Sequence, residues 1–338
     1  MPIRNEGSFL RESLGAVLAQ DYPTDRLEIL VADGCSTDGT QQLIGAFKQK
    51  HPNLELLENS GRIVPTGLNL ALRRARGEII LRVDGHTFIA PDYVSQCVAA
   101  LSRSGAENVG GRMNATGAGR FGEAVAMATS SPFGVGGARF HYSNREEFVD
   151  TVYLGAWPRH VFVEIGLFDE ELVRNQDDEF NYRLTERGGR ILLSPEIKSV
   201  YTNRSSPGSL WRQYFQYGYW KVRVLQKHPG QMQPRQFAPP AFVFTLLISI
   251  FGYLFSTFDR LSLVVPGLYL LANLVASIYT ASYKGWRNLP LLPLAYAILH
   301  LSYGAGFLAG LIKFWNRWGD KTGKVPTWRP GPVSAIER

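Results

Sequence analysis

Residues 27–40 read LEILVADGCSTDGT, and the way this stretch is put together decides the fold class. Leu27–Asp33 is a nearly continuous apolar run rich in branched side chains, which suits a strand buried on both faces. It ends on Asp33, after which Gly34, Ser36, Thr37, Asp38 and Gly39 turn the chain and cap a helix. Strand, polar turn and helix in that order belong to α/β folds, which bind ligands beyond the carboxyl ends of their strands. The same grammar returns at residues 78–86, EIILRVDGH, where a second buried strand ends on Asp84.

Outward from these strands the alternation continues for about two thirds of the 338 residues. The pattern predicts helices over Glu6–Gln20, Thr37–Lys50, Pro65–Arg76, Pro91–Ser102 and Asp177–Arg187. Strands are expected at Leu54–Glu58, Asn108–Met113, Asp150–Ala156, Arg190–Ser194 and Lys198–Tyr201, with Pro2–Ile3 as a stub of a first strand. Together they predict a Rossmann-like α/β domain with a mostly parallel sheet covered on both faces.

From Ala241 to Ile312 charged residues nearly vanish. A membrane span takes about 20 apolar residues. Leu261–Tyr283 and Leu289–Ile312 qualify, Ala241–Phe258 is marginal, and the short Asp259–Arg260 link makes the first two a hairpin. Ser209–Lys227 mixes aromatic and basic residues, as an interfacial helix does; packing on the globular domain is the plainer alternative. The predicted organisation is therefore an α/β domain over 1–205, an amphipathic interfacial helix and linker over 206–240, two to three hydrophobic segments over 241–312 and a basic tail over 313–338. Three crossings would separate the tail (Lys313, Arg317, Lys321, Lys324, Arg329) from the N-terminal domain, against the positive-inside tendency. Two crossings plus a re-entrant or interfacial segment would keep them on one side.

The net charge of +7 raises either nucleic acid or an anionic membrane as partner. Lys198, Arg204, Arg212, Lys221, Arg223, Lys227 and Arg235 stand without an intervening acid directly before the apolar region, and no zinc-finger spacing or basic repeat occurs. This favours membrane over nucleic acid. Cys35 and Cys97 form no C-x-x-C pattern, so a reducing compartment is expected. MPIRNEGSF carries no apolar signal region, which predicts a cytosolic N-terminal domain.

Three acidic features carry chemistry. Asp33 is placed to accept hydrogen bonds from a base or ribose, although a capped turn alone would explain its loop. Asp84-Gly85-His86 offers a hard oxygen and an imidazole, a pair that fits Mn2+ at least as well as Mg2+; a surface turn is the bare alternative. Gln176-Asp177-Asp178-Glu179 opens a helix after the Gly166–Asp169 turn. Helix dipoles favour one or two acids there, and a hydroxyl nucleophile needs a carboxylate to take its proton.

In order and spacing these stretches resemble the family 2 inverting glycosyltransferases of the GT-A fold, and within them a subgroup of succinoglycan glucosyltransferases. The resemblance runs from Pro2 to about Pro240. It is carried by PIRNE (2–6), VADGCSTDGT (31–40), NSGRIVPTGLNLAL (59–72), RVDGH (82–86), GLFDEELVRNQDDEFNYRLTERGG (166–189) and RQYFQYGYWKVR (212–223). It implies a nucleotide-sugar donor, with Pro2, Arg4 and Glu6 in the first nucleotide-binding segment and Asp33 on the uracil or ribose side. Arg62 and Asn69 would line the same pocket. Asp84 and His86 would carry a divalent metal, Mn2+ or Mg2+. Asp177 would be the catalytic base, because Arg183 follows six residues later as in the family pattern. Gln176, Asp178 and Arg183 would face the acceptor or diphosphate, and Arg212, Gln213 and Lys221 would reach back to the diphosphate.

His86 replaces the usual second Asp and Gln176 the usual Glu, both within the subgroup's range. The Gln-x-x-Arg-Trp motif of processive synthases is not present as such, Gln216–Trp220 being only a loose echo of it, and this argues for adding a single sugar. The resemblance thus implies a multi-pass enzyme of the cell membrane with a cytosolic catalytic domain. Its donor would be a UDP-sugar such as UDP-glucose, and its acceptor a polyprenyl-diphosphate-linked saccharide in exopolysaccharide or cell-surface glycan assembly. A processive synthase, a polyprenyl-phosphate glycosyltransferase and a non-catalytic membrane scaffold are the alternatives. Trp157 and Arg159 are possible sugar contacts, and His300 is either functional or a bond between helices.

Overall fold

The computed structural model describes residues 1–254, 263–320 and 325–328. The Asp259–Arg260 link and Lys321, Lys324 and Arg329 of the tail lie outside the described residues. The described residues divide into two compact units: the first comprises Met1–Asn114, Ser143–Tyr201 and 325–328, the second Ala115–Tyr142, 202–254 and 263–320. Residues 115–142 thus group with the C-terminal helices, not with the 1–205 domain in which the sequence places them.

The chain begins with β1 (Pro2–Ile3), α1 (Gly7–Leu18), β2 (Ile29–Asp33), α2 (Thr40–Lys48), β3 (Leu54–Glu58), α3 (Val64–Arg74), β4 (Ile79–Leu81), β5 (Thr87–Ile89), α4 (Tyr93–Ser104) and β6 (Asn108–Thr116). Next come α5 (Gly119–Thr129), α6 (Pro132–Val135), β7 (Glu147–Val149), β8 (Tyr153–Pro158), α7 (His160–Ile165), α8 (Gln176–Glu186) and β9 (Ile191–Thr202). The remaining helices are α9 (Pro207–Lys227), α10 (Pro234–Leu254), α11 (Val264–Lys284) and α12 (Leu292–Lys313).

In the first unit β1, β2 and β3 form a parallel sheet, with Ile3 opposite Asp33 and Ile29 opposite Leu54. All five residues of β2 are buried, as its unbroken apolar run requires. The second sheet has the order β4-β8-β6-β9-β5, with β7 also alongside β9. Here β8 runs antiparallel to β4 and β6, and β9 antiparallel to β5 and β7. A cavity of about 460 Å3, lined by Val17, Leu30, Leu72, Ile79 and Leu81 among others, lies where β2 and β4 approach one another. α1 packs on the core through Leu10, Leu14 and Val17, one helical stripe, against Ile29, Val31, Ile89 and Tyr93.

In the second unit α9 and α12 lie in close contact. A Cβ at Gly218 would come 2.0 Å from the Tyr303 carbonyl oxygen, and one at Gly306 2.0 Å from that of Phe215. Small residues are what allow two helix backbones this near. The aromatic–basic helix therefore packs on α12. Three helices, Pro234–Tyr253, Val264–Lys284 and Trp286–Lys313, are long and apolar enough to cross a membrane. α10 and α11 expose large apolar side chains such as Phe251, Leu268 and Leu270. His300 bonds on both ring nitrogens, one 2.8 Å from the Phe133 carbonyl and the other 3.0 Å from the Tyr269 hydroxyl. It is a bond between helical segments.

Candidate active site

The loops that leave β1 and β2 at their carboxyl ends are tied to each other. The Ser36 hydroxyl accepts from the Asn5 N–H at 2.8 Å, and the Asn5 side chain accepts from the Thr37 N–H at 2.9 Å. Asp38 accepts from the Gly7 N–H at 3.0 Å, and Thr40 donates its hydroxyl to Asp38 while accepting from the Glu6 N–H. These bonds, led by the Thr40 hydroxyl, hold the Asp38 carboxyl below the usual carboxylate range. Asn5, Cys35, Arg62 and Asn175 all adopt left-handed φ between 55° and 63°, a region costly for residues with a Cβ. All four stand in loops that carry expected site residues.

Beside these loops runs the segment Arg82-Val83-Asp84-Gly85-His86. The Ser13 hydroxyl donates to the Gly85 carbonyl at 2.6 Å. A Cβ at Gly85 would press on Glu6 and Ile3 at 2.9 Å, so glycine lets this loop lie against the end of β1 and the loop that follows it. The buried Arg82 grips Asp84 with a two-point fork, Nε to Oδ1 at 2.8 Å and Nη2 to Oδ2 at 3.0 Å. Burial alone would raise the Asp84 pKa, but the guanidinium outweighs it and holds the carboxyl below its ordinary value. Burial likewise works against the Arg82 charge, and Asp84 and Asp177 overcome it. Asp177, on the first turn of α8, places Oδ2 3.6 Å from Arg82 Nη1, and its side chain is 45% exposed. His86 sets Nδ1 3.0 Å from Glu6 Oε1 and its ring edge-on to Tyr201.

Two of the three acids expected to do chemistry, Asp84 and Asp177, therefore meet across one arginine. A family model described as Glycosyl transferase family 2 matches residues 1–156. The succinoglycan biosynthesis protein ExoA of Rhizobium meliloti (strain 1021) is 30% identical over 335 residues, covering 94% of this chain and 95% of that protein. The chain belongs to glycosyl transferase family 2. This ExoA-like family 2 glycosyltransferase is also 28% identical over 321 residues to the dolichyl N-acetyl-alpha-D-glucosaminyl phosphate 3-beta-D-2,3-diacetamido-2,3-dideoxy-beta-D-glucuronosyltransferase of Methanococcus voltae, covering 93% of this chain and 96% of that protein. In structure it resembles the mannosyltransferase PcManGT of Pyrobaculum calidifontis, solved with GDP-Man and Mn2+, at a TM-score of 0.57 and 20% identity over 91% of this chain and 85% of that one. The fold is GT-A, as the sequence led us to expect.

The remaining expected site residues of this glycosyltransferase divide. Arg4 and Arg62 are exposed on adjoining loops, with Arg4 Nη1 3.4 Å from the Arg62 carbonyl; Pro2 is buried in β1. Asp33 is 1% exposed, and its oxygens accept from the Ser36 N–H and hydroxyl and from Gln41 Nε2. These bonds shape the loop that follows β2. Asn69 is fully buried, donating to the Phe168 carbonyl at 2.8 Å and to Glu170 at 2.9 Å, and accepting from the Phe168 N–H at 2.9 Å. It fastens α3 to the Gly166–Asp169 turn. Arg183 likewise turns away from an acceptor. It forks onto the buried Glu179 at 2.6 and 3.0 Å and donates to the carbonyls of Ile165 and Leu167.

Gln176 is buried, and its Oε1 has no hydrogen-bond partner among the described residues. The Asp178 N–H donates to Asp177 Oδ1 at 2.9 Å. Arg212, Gln213 and Lys221 belong to the second unit; Arg212 is exposed, Gln213 donates to the Tyr217 hydroxyl at 3.0 Å, and Lys221 is buried with Nζ 3.4 Å from Gln231. Trp157 is 2% exposed within an aromatic cluster with Phe162, Phe168 and Phe180, a core position closed to sugar. Arg159 stacks over Trp328 at 4.8 Å.

Sequence reasoning missed Arg82, whose signal was present. In a strand ending on Asp84, the residue two earlier shares its face, and an arginine in an otherwise apolar run has to find an acid.

Among the described residues no cluster of three or more His, Cys, Asp and Glu is arranged for a metal. Asp84 and His86 are the pair expected here, and a two-residue set fits a divalent ion whose shell would be completed by substrate phosphates and water. His86 Nδ1 lies 3.0 Å from Glu6 Oε1, and an imidazole whose Nδ1–H is held by a carboxylate turns its Nε2 lone pair outward, the arrangement that metal-ligating imidazoles use. Each Asp84 oxygen gives one lone pair to Arg82 and retains another.

Proposed function

We propose that the chain is an inverting, membrane-bound hexosyltransferase that moves a sugar from a UDP-sugar such as UDP-glucose to a polyprenyl-diphosphate-linked saccharide. The observation that carries this reading is the half-exposed Asp177 carboxylate facing the Arg82–Asp84 pair at the carboxyl ends of the strands. Succinoglycan biosynthesis and a dolichyl phosphate substrate, in the names of the two relatives, support a glycan acceptor on a lipid carrier. Three apolar helices and the basic residues before them favour a cell-membrane location with the catalytic unit in the cytosol.

Asp177 takes the proton of the acceptor hydroxyl. The freed oxygen attacks C1 of the sugar as the C1–O bond to the diphosphate breaks, so an α-linked donor gives a β-glycoside and UDP departs with the bond's electrons. A divalent ion held by Asp84 and His86 supplies countercharge to the diphosphate when bound. Glu6 keeps the His86 ring turned with Nε2 free, and Arg4 and Arg62 present cationic side chains beside the donor loops. Arg212 and Lys221 are further candidates for contact with the diphosphate.

The reading is tested with membranes bearing the protein, a panel of nucleotide sugars and lipid-linked acceptors, and product analysis by mass spectrometry and NMR. Asp177→Asn is expected to lower transfer by roughly 10²–10⁴-fold. Full activity in that variant would remove the base, and an α-linked product would remove the single displacement.

A further inference from the structure

We propose that Arg82 is a positioning residue that sets the base Asp177 in register with the donor-side carboxylate Asp84; the inference rests on the roles given to those two acids above. The guanidinium is planar, with donors on separate edges. One edge, Nε and Nη2, is fully engaged by Asp84 at 2.8 and 3.0 Å. The other, Nη1, is buried with no hydrogen-bond partner among the described residues, and it points at Asp177 Oδ2 from 3.6 Å. Buried donors are rarely left unpaired, and a shift of about 0.8 Å would close this 3.6 Å gap to an ordinary charge-assisted bond of about 2.8 Å.

The Arg82 backbone is anchored as well, its N–H donating to the Gly155 carbonyl at 3.1 Å beside β8. An arginine needed only to neutralise Asp84 would use one edge and leave Asp177 out of reach. A residue gripping both acids carries the position of one to the other. Lysine would keep the charge but lacks the fork, so it cannot hold both.

A double-mutant cycle tests this. Arg82→Lys, Asp177→Asn and the double variant are prepared as full chains in detergent, with melting temperature as the check on folding. Arg82→Lys is expected to lower kcat by roughly 10²-fold in the otherwise natural chain, the scale of about 1 Å of misplacement. In the Asp177→Asn background it should cost less than about threefold, because the group it positions is gone. Equal losses in both backgrounds overturn the proposal, as does an Arg82→Lys enzyme with natural kcat. Asp177→Asn with full activity instead overturns the base assignment, a failure visible in the single variant alone.

A separate observation fixes the sidedness of the tail. Residues 325–328 belong to the first unit: the Pro326 carbonyl accepts from the Leu167 N–H at 3.0 Å, and Trp328 is 5% exposed against Phe162 and under Arg159. A segment built into the catalytic core lies on the same side of a membrane as that core. We infer that an even number of the three apolar helices cross, and the exposed apolar faces of α10 and α11 make that number two.

Cysteines placed at Ser8 and at Ser334, each in a Cys35→Ser background, report the sides. A membrane-impermeant maleimide is expected to label both in inside-out vesicles and neither in intact cells. Labelling of the two positions from opposite sides overturns the inference.

Discussion

Replacing Arg183 by methionine separates a ligand-binding arginine from a structural one. Arg183 is 11% exposed and its partner Glu179 wholly buried, and two main-chain carbonyls also depend on its guanidinium. Taking one partner from a buried ion pair costs about 3–5 kcal/mol, chiefly because the other charge loses its compensation. For a unit of this size 1 kcal/mol corresponds to about 2–4 °C in Tm, so Arg183→Met is expected to lower Tm by roughly 6–20 °C. Removing both charges with Glu179→Met and Arg183→Met should recover more than half of that fall. The assay is thermal unfolding in detergent, with UDP titration calorimetry below the transition, where the single variant should bind within about threefold of the natural chain. A Tm loss under about 3 °C would refute the burial argument. Lost UDP binding at unchanged Tm would return Arg183 to the ligand.

Glu6→Gln weakens the hold on His86 and should raise the Mn2+ concentration needed for UDP binding by about 10-fold, read by calorimetry at varied metal. Gly306→Leu forces a side chain into the Phe215 carbonyl and should destabilise the α9–α12 contact by about 1–3 kcal/mol, seen as a lower Tm in detergent. Asp38 has a lowered folded pKa, so its contribution to stability is complete above the unfolded value of about 3.9 and is lost as pH falls through the folded one. The Tm difference between the natural chain and Asp38→Asn should be constant from pH 8 to about 5 and shrink below pH 4.

Where the chain advertises its burial the sequence reads directly. β2 appears within two residues of its expected bounds, because an unbroken apolar run admits few other structures. β9 was expected as two strands, since Pro195 interrupts it. In the structure β7 pairs with Ile191–Leu193 and β5 with Ser199–Tyr201, so Pro195 falls between two partners. α5 escaped notice because Ala124–Thr129 is buried along its whole length and shows no polar stripe.

The candidate site divides by the same logic. Strand ends locate Asp33 and Asp84 in the sequence and a helix start locates Asp177, but not where their side chains point. Asn69 and Arg183 take partners from the Ile165–Glu170 segment, far from them in sequence, and no local pattern encodes that.

Those distant partners explain why residues in site motifs serve structure. Asn69 from α3, Arg183 from α8 and the Pro326 carbonyl from the tail all bind the segment between Ile165 and Glu170. That segment leads into α8, and α8 begins one residue before Asp177, at a left-handed Asn175. A carboxylate on the first turn of a helix moves with the helix, so fixing the turn before it fixes the base from behind. Arg82 approaches the same carboxylate from the front, from the segment after β4 that also carries Asp84. A base held only from behind could tilt with α8, and one held only by Arg82 could follow the donor loop. Held from both, its distance from the donor side changes only if a buried network breaks.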